Sequence, residues 1–427
     1  MTAREKRAIA PPALPPELWE LIFDLATCVP GTLIPDIYEH SNIIGPLYNR
    51  KFHGALRAAL VTKRYLVRVC KQWWHLARRY LYQAIYIGRT RGVLSLCNTL
   101  KKYAAGGGTV SGVYSLGLWT QRLDIVIRDL SNDFDVECKC LAEIIRSLPN
   151  LAIVSFVTTS ESDWHYEIPD SVVDALQWNA PSLRVLDWPT YTDDYMYPLK
   201  DLLKVVSLRI LRCDGLPFSV DLVHTLSSVH TLILQKLFES TSYLDKLVPG
   251  EVATNLRELT LVADIAYYPL WRDFTQLYGI HLTSVHLQQG DIGDEDDITT
   301  FLIMICESCP NLRRITLSVL KFSYISLDGF SLPPVQYFGI AAEAHQQPRS
   351  AYKHLFTVLA FVKDTVPTLR VVQLIDPRNV NALLTRHSKV ATRALNQLLV
   401  GSAFHIECHD GMRLSGASGG MYLHIVF

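Results

Sequence analysis

Four short stretches gather side chains that could hold a metal or react. Cys306-Glu-Ser-Cys309 has the two-residue gap of a zinc or redox pair. Thiolates at that gap hold zinc when a second pair completes the set. No second pair follows, and Pro310-Asn311-Leu312 marks a helix end just after it, so two packed thiols are expected. Cys138-Lys-Cys140 is a weaker form of the same pattern. His405, Glu407 and His409, with Cys408 between them, would share one face of a strand, a mix that could bind a metal. A solvated strand end is the plainer reading. Asp291-Ile-Gly-Asp-Glu-Asp-Asp297 lacks the roughly 12-residue ligand spacing of a calcium loop and reads as a loop capping a helix from Ile298 to Cys306.

Stronger chemical signatures are missing. The glycine triplet starting at Gly106 has no Lys-Ser/Thr after it to cradle a phosphate, and neither Gly-x-Ser-x-Gly nor His-Glu-x-x-His occurs. The sequence therefore predicts no catalytic residue, no metal and no cofactor. A binding protein, not an enzyme, is expected.

The totals point the same way once they are divided along the chain. Lys+Arg and Asp+Glu are both 41 in 427 residues. From His40 to Leu123, however, there is no acidic residue against fourteen basic ones, and acidic residues predominate after it. A basic front and an acidic rear follow. The nine cysteines are scattered and odd in number, which suits a reducing compartment better than a disulfide framework. No apolar run approaches the roughly 20 residues of a membrane span, and Met-Thr-Ala-Arg-Glu-Lys-Arg lacks a signal's apolar core. A soluble chain, cytoplasmic and/or nuclear and without membrane contact, is expected.

Residues 1–13 read as a disordered leader. Leu14 to Ala26 then forms a helix opened by Pro15 and Pro16, whose missing N–H groups fall where a helix leaves donors unpaired. Leu18, Leu21, Ile22 and Leu25 have the spacing of a core stripe, and Trp19, Phe23 and Ala26 widen it past half the circumference. Such a helix needs cover on two sides. Thr27 to His53 is rich in Pro, Gly and Asn and reads as an inserted loop. Tyr65 to Tyr82 is an amphipathic helix with basic residues outward, and its adjacent Trp73 and Trp74 must face different neighbours.

Leu14-Pro-Pro-Glu-Leu-Trp-Glu-Leu-Ile22 and Leu66-Val-Arg-Val-Cys-Lys-Gln-Trp-Trp-His-Leu-Ala77 resemble the two halves of an F-box, over roughly residues 12 to 82. In that family a three-helix module docks on a Skp1-type adaptor of a cullin-RING ubiquitin ligase. The resemblance implies an adaptor-binding set of Leu14, Pro15, Leu18, Trp19, Ile22, Phe23, Val69, Cys70 and Trp73. The insert departs from the short connection usual in the family. Loop entropy grows slowly with length, so an insert at the surface is tolerated.

Further on, an apolar-x-x-apolar-x-apolar phrase recurs, beginning at Leu151, Leu183, Leu208, Val229, Leu256, Leu282, Leu312 and Leu369, with a diverged copy at Val335. The last two apolar residues sit two apart on a short strand and point to one side, and a stack of parallel strands with helices behind would bury that side. This resembles the leucine-rich repeat in an irregular form. A strand over Leu123–Ile127 would open the stack, and Phe404–Cys408 with Met421–Phe427 would close it. Ser155, Asp187, Arg212, Ile233, Thr260, His286, Thr316 and Gln373 would face outward between the repeat leucines.

The expected fold is thus α/β: an F-box-like helical module over 14–87 with its insert at 27–53, then an irregular leucine-rich-repeat solenoid over 88–427 with a terminal cap. The pairing resembles the fungal-like F-box/leucine-rich-repeat type. It implies a substrate receptor of an SCF-type (Skp1-cullin-F-box) ligase, with the repeats holding an unknown target protein. The rival is a repeat scaffold outside any ligase, binding protein or nucleic acid. The basic front lacks helix-turn-helix or zinc-finger spacing, so nucleic acid is not favoured.

Overall fold

The computed structural model describes residues 14–35, 50–88, 90–105, 116–127, 134–158, 168–179, 181–188, 208–218, 226–239, 254–290, 297–326, 332–343 and 347–414. The leader 1–13, most of the 27–53 insert and the Met421–Phe427 strand expectation lie outside them.

Among these residues the protein is mixed α/β, built on one sheet of thirteen strands in chain order. They are β1 (Ala84–Ile87), β2 (Arg122–Ile127), β3 (Ile153–Thr158), β4 (Val185–Trp188), β5 (Ile210–Phe218), β6 (Thr231–Glu239) and β7 (Glu258–Ala263). β8 (Ser284–Gln289), β9 (Arg314–Val319), β10 (Tyr337–Ala342), β11 (Val371–Leu374), β12 (His405–Glu407) and β13 (Arg413–Leu414) follow. β1 to β12 are parallel to their neighbours and β13 returns antiparallel to β12.

Each apolar phrase becomes one of the strands β3 to β11, starting two residues after the phrase begins. The first residue of every phrase is buried. The strand starts are stapled by a repeated backbone device. The carbonyl of the residue before a strand accepts two successive N–H groups from the next repeat: Ala152 takes Arg184 and Val185, Arg184 takes Arg209 and Ile210, and Arg257 takes Thr283 and Ser284. Two donors on one acceptor leave no N–H orphaned at the bend.

Parallel strands need crossovers of one hand. With every strand added on the same side of the last, the helices collect on one face. α4 (Thr90–Ala105) packs on α5 (Phe134–Arg146), and α5 on α6 (Asp170–Trp178). Leu123, Val154, Leu186, Leu211, Leu232 and Leu259 point into this helix layer and run into one continuous apolar core. Among the described residues the opposite face has a small apolar cluster of its own, Ile153, Val185 and Ile210.

Two expectations are corrected. Leu123–Ile127 does not open the sheet, because β1 pairs ahead of it in register Ala84↔Arg122. The boundary at residue 87 therefore cuts through sheet. The reading of Tyr65–Tyr82 as one helix also fails: α2 (Arg50–Val69) stops and α3 (Lys71–Gln83) begins at Cys70. Cys70 is fully extended at φ −160°, and its Sγ accepts the Trp73 N–H at 3.5 Å as an N-cap.

No helix among the described residues is long and apolar enough to cross a membrane.

Candidate docking face on the helical module

α1 (Pro16–Thr27) packs on α2 and α3 and makes a second core, separate from that of the sheet. Trp19, Phe23, Ala77 and Tyr80 are buried in it, with Leu14, Leu66, Val67, Trp73 and Leu76 around them. Trp73 stands 4.8 Å from Trp19 and 4.9 Å from Phe23 between ring centroids, the Phe23 contact edge-to-face. Tyr80 Oη donates to the Glu20 carbonyl at 2.9 Å, and Arg79 pairs with the Glu20 carboxylate at 3.0 Å. The neighbouring Trp74 packs on the sheet core instead. α3 is a wall shared by both cores and runs straight into β1, so no linker separates the parts.

The row expected as the core stripe of α1 is its open face. Leu18 is 45 %, Leu21 55 %, Ile22 42 % and Leu25 75 % exposed, whereas Phe23 is 0 % exposed. At 100° per residue this row lies roughly 130° around the helix from Trp19 and Phe23. The correction has a simple cause. Both faces of α1 are apolar, and the aromatic one wins the interior because a ring buries more area than a leucine and finds Trp73 as partner.

The nine predicted adaptor contacts therefore separate. Leu18 and Ile22 lie on the open face; Pro15, Val69 and Cys70 are exposed. Trp19 and Phe23 are interior, Trp73 is half-buried against them, and Leu14 is half-buried. Sequence reasoning left Leu21 and Leu25 out of the set, although their spacing with Leu18 and Ile22 was the available signal. A second exposed apolar row runs along α2 at four-residue spacing, Val61, Tyr65 and Val69, with exposed Arg57, Arg64 and Arg68 beside it. Between these helices burial pushes the Lys63 amine down, while Cys28 and Asp24 nearby pull the other way.

A hydrogen bond from the sheet reaches the segment that follows α1. Arg122 of β2 is fully buried, makes paired 2.8 Å bonds to Asp124, and reaches the Thr32 carbonyl beyond α1 at 3.4 Å.

Tyr86 and Asp124 start a column across the sheet that holds the residues expected to face outward. Ser155, Asp187, Arg212, Ile233, Thr260, His286, Thr316, Gly339, Gln373 and Glu407 stand side by side on consecutive strands. They point away from the helices, yet Ser155, Asp187, His286, Thr316 and Gln373 are buried and only Arg212, Ile233 and Thr260 of the predicted set are half-buried. Neighbouring strands lie about 4.8 Å apart, so adjacent side chains cover one another and pair laterally. Asp187 accepts from Ser155 at 2.8 Å and from Arg212 at 3.0 Å. Burial pushes its carboxyl up, and Arg212 and Ser155 draw it back.

His286 carries a pH consequence. Its ring lies 2.8 Å from Ser318 Oγ, and burial pushes it down to about 4 from 6.5. The unfolded chain then takes up this proton before the native chain does. Stability present above pH 6.5 is lost as the pH falls toward 4, by up to about 3 kcal/mol. His286→Gln is expected to flatten the fall in melting temperature across that window; an unchanged profile would place the acid sensitivity elsewhere.

His405 Nε2 lies 2.6 Å from Glu407 Oε1, but β12 ends at Glu407 and His409 is exposed beyond it. Cys309 is fully buried and Cys306 half-buried; burial pushes the Cys309 thiol up to about 12. Most of the Asp291–Asp297 loop lies outside the described residues. Among those residues, the one grouping of three possible ligand side chains is Cys97, Cys140 and Glu143, which no sequence motif had joined.

No family model matches this chain, and no curated protein matches it either.

Proposed function

We propose that the chain is a non-catalytic substrate receptor: its helical module holds a Skp1-type adaptor of a cullin-RING ubiquitin ligase, and its sheet domain, read as an irregular leucine-rich repeat, holds a target protein. The observation that carries this reading is the open face of α1. Four large aliphatic side chains in one helical row stay in water while the opposite side of the same helix is fully packed. Such rows mark contact surfaces. The exposed arginines of α2 suit an acidic partner, where complementary charge speeds encounter more than it adds affinity. In this reading the protein does no bond chemistry. It raises the effective concentration of target lysines near the ligase.

Co-purification with a Skp1-type adaptor tests it. Wild type retains the adaptor; Leu18→Asp with Leu25→Asp lowers its affinity by about tenfold or more, as for central interface residues. Val400→Asp, at an exposed position far along the chain, leaves binding intact. Failure of wild type to hold the adaptor would sink the receptor reading. Equal recovery by the leucine variant would move the contact off α1.

A further inference from the structure

The α4–α5 contact brings together three side chains that are far apart in sequence. Cys97 comes from the middle of α4. Cys140 and Glu143 come from α5, three residues apart and therefore on one helix face. One ligand atom from each lies within 4.8 Å of the other two. Cys97 Sγ is 3.1 Å from Glu143 Oε2, and Lys101 Nζ meets the same oxygen at 2.5 Å. Cys97 is buried, while Cys140 and Glu143 are half-buried, so the group has a floor and an open side.

We propose that Cys97, Cys140 and Glu143 bind one zinc ion, with water in the fourth position, clamping α4 to α5. Two soft thiolates and a carboxylate form a donor set that zinc takes in tetrahedral geometry. Bond lengths of about 2.3 Å to sulfur and about 2.0–2.2 Å to oxygen set such donors about 3.5–3.8 Å apart. To reach it the 3.1 Å contact of Cys97 Sγ with Glu143 Oε2 opens and the widest separation in the group, which is within 4.8 Å, closes.

Charge supports the assignment. Zinc with two thiolates and one carboxylate carries a net single negative charge, and Lys101 and Arg146 both act on Glu143 from outside the donor set. The hydrogen bonds from Lys101 and Cys97 hold the Glu143 carboxyl below its usual range, ready as an anionic ligand. Without metal, burial and the Glu143 bond push the Cys97 thiol up to about 12. Binding therefore expels the Cys97 thiol proton, Zn²⁺ taking the freed sulfur lone pair beside the existing carboxylate. The affinity rises with pH accordingly. The site is independent of the adaptor reading and stands or falls without it.

Cobalt(II) is the probe, since it reports thiolate ligation by charge-transfer absorption and tetrahedral geometry by intense visible bands. The reduced full-length protein is expected to bind one equivalent, with both signals displaced by one equivalent of zinc. Cys97→Ser and Cys140→Ser each abolish the charge-transfer signal. Cys306→Ser with Cys309→Ser keeps it. Glu143→Gln, which leaves both thiols in place and packing unchanged, weakens binding by about tenfold or more, since even supporting partners of a ligand cost that much. Circular dichroism and melting of each variant separate a lost ligand from a lost fold. Wild type without charge-transfer bands, bands persisting in a folded Cys97→Ser Cys140→Ser double variant, or bands lost in the Cys306/Cys309 control would overturn the site.

Discussion

Phe23→Ala is expected to destabilise the helical module by about 3–5 kcal/mol, whereas Leu25→Ala, two residues on, changes stability by no more than about 0.5 kcal/mol. Both remove a large apolar side chain from the same helix. Phe23 is fully enclosed, with Trp19 at 5.8 Å and Trp73 at 4.9 Å between ring centroids, so its loss leaves a cavity lined by rings that cannot collapse into it. Leu25 is 75 % exposed and its truncation leaves nothing empty. Urea unfolding followed by tryptophan fluorescence reads the module directly, because Trp19 and Trp73 sit beside the substituted ring. Equal costs at the two positions would mean that α1 turns its leucine row inward, and the proposed docking face would vanish with it. The same contrast protects the co-purification experiment. Leucine-row variants that lose the adaptor keep the module folded, and Phe23→Ala serves as the unfolded reference.

The sheet was legible because its signal is local. Each strand needs two apolar residues at a spacing of two and a buried residue ahead of them, and nine strands, β3 to β11, coincide with that phrase. β1 was missed because Ala84-Ile-Tyr-Ile87 has no lead-in turn of its own; α3 runs directly into it. The break at Cys70 was missed because Arg68, Val69 and Lys71 all keep the helical pattern, and only the backbone dihedrals and the Sγ cap reveal the stop. For α1 the spacing marked the Leu18, Leu21, Ile22 and Leu25 row as the core stripe, and the structure turns that row outward. Which face turns inward depends on Trp73, more than fifty residues away in sequence. The Cys97, Cys140 and Glu143 group was illegible for a similar reason: its members join only when α4 packs on α5, and the Cys138-Lys-Cys140 spacing contains one of the three. The outward residues of the sheet were placed on the correct face, but their burial comes from lateral neighbours that the phrase alone does not show.

Gly279→Ala is expected to cost about 3 kcal/mol or more, while Gly54→Ala stabilises by about 0.5–1 kcal/mol. Both add one methyl group. At Gly279 that methyl would stand 2.2 Å from the Ser308 carbonyl oxygen and 2.9 Å from its carbon, both backbone atoms at a helix end that cannot swing aside. At Gly54, inside α2, nothing lies within 4 Å, so the gain is the helix propensity alone. The close approach is part of a device used twice. Ser147-Leu-Pro-Asn150 and Ser308-Cys-Pro-Asn311 each end a helix, press a serine carbonyl onto a glycine of the preceding turn, and donate the asparagine amide to the carbonyl of the residue after that glycine. Asn150 reaches Leu118 at 2.7 Å and Asn311 reaches Ile280 at 2.8 Å. The glycine lets successive helices approach closely enough for that bond. A bulkier residue there strains the helix spacing that the strand spacing below it fixes, and the two cannot relax together. Gly117→Ala, with its methyl 1.9 Å from the Ser147 oxygen, should cost at least as much. Melting temperatures of the three variants give the order, and a Gly279→Ala protein as stable as wild type would show that the helix layer can shift independently of the sheet.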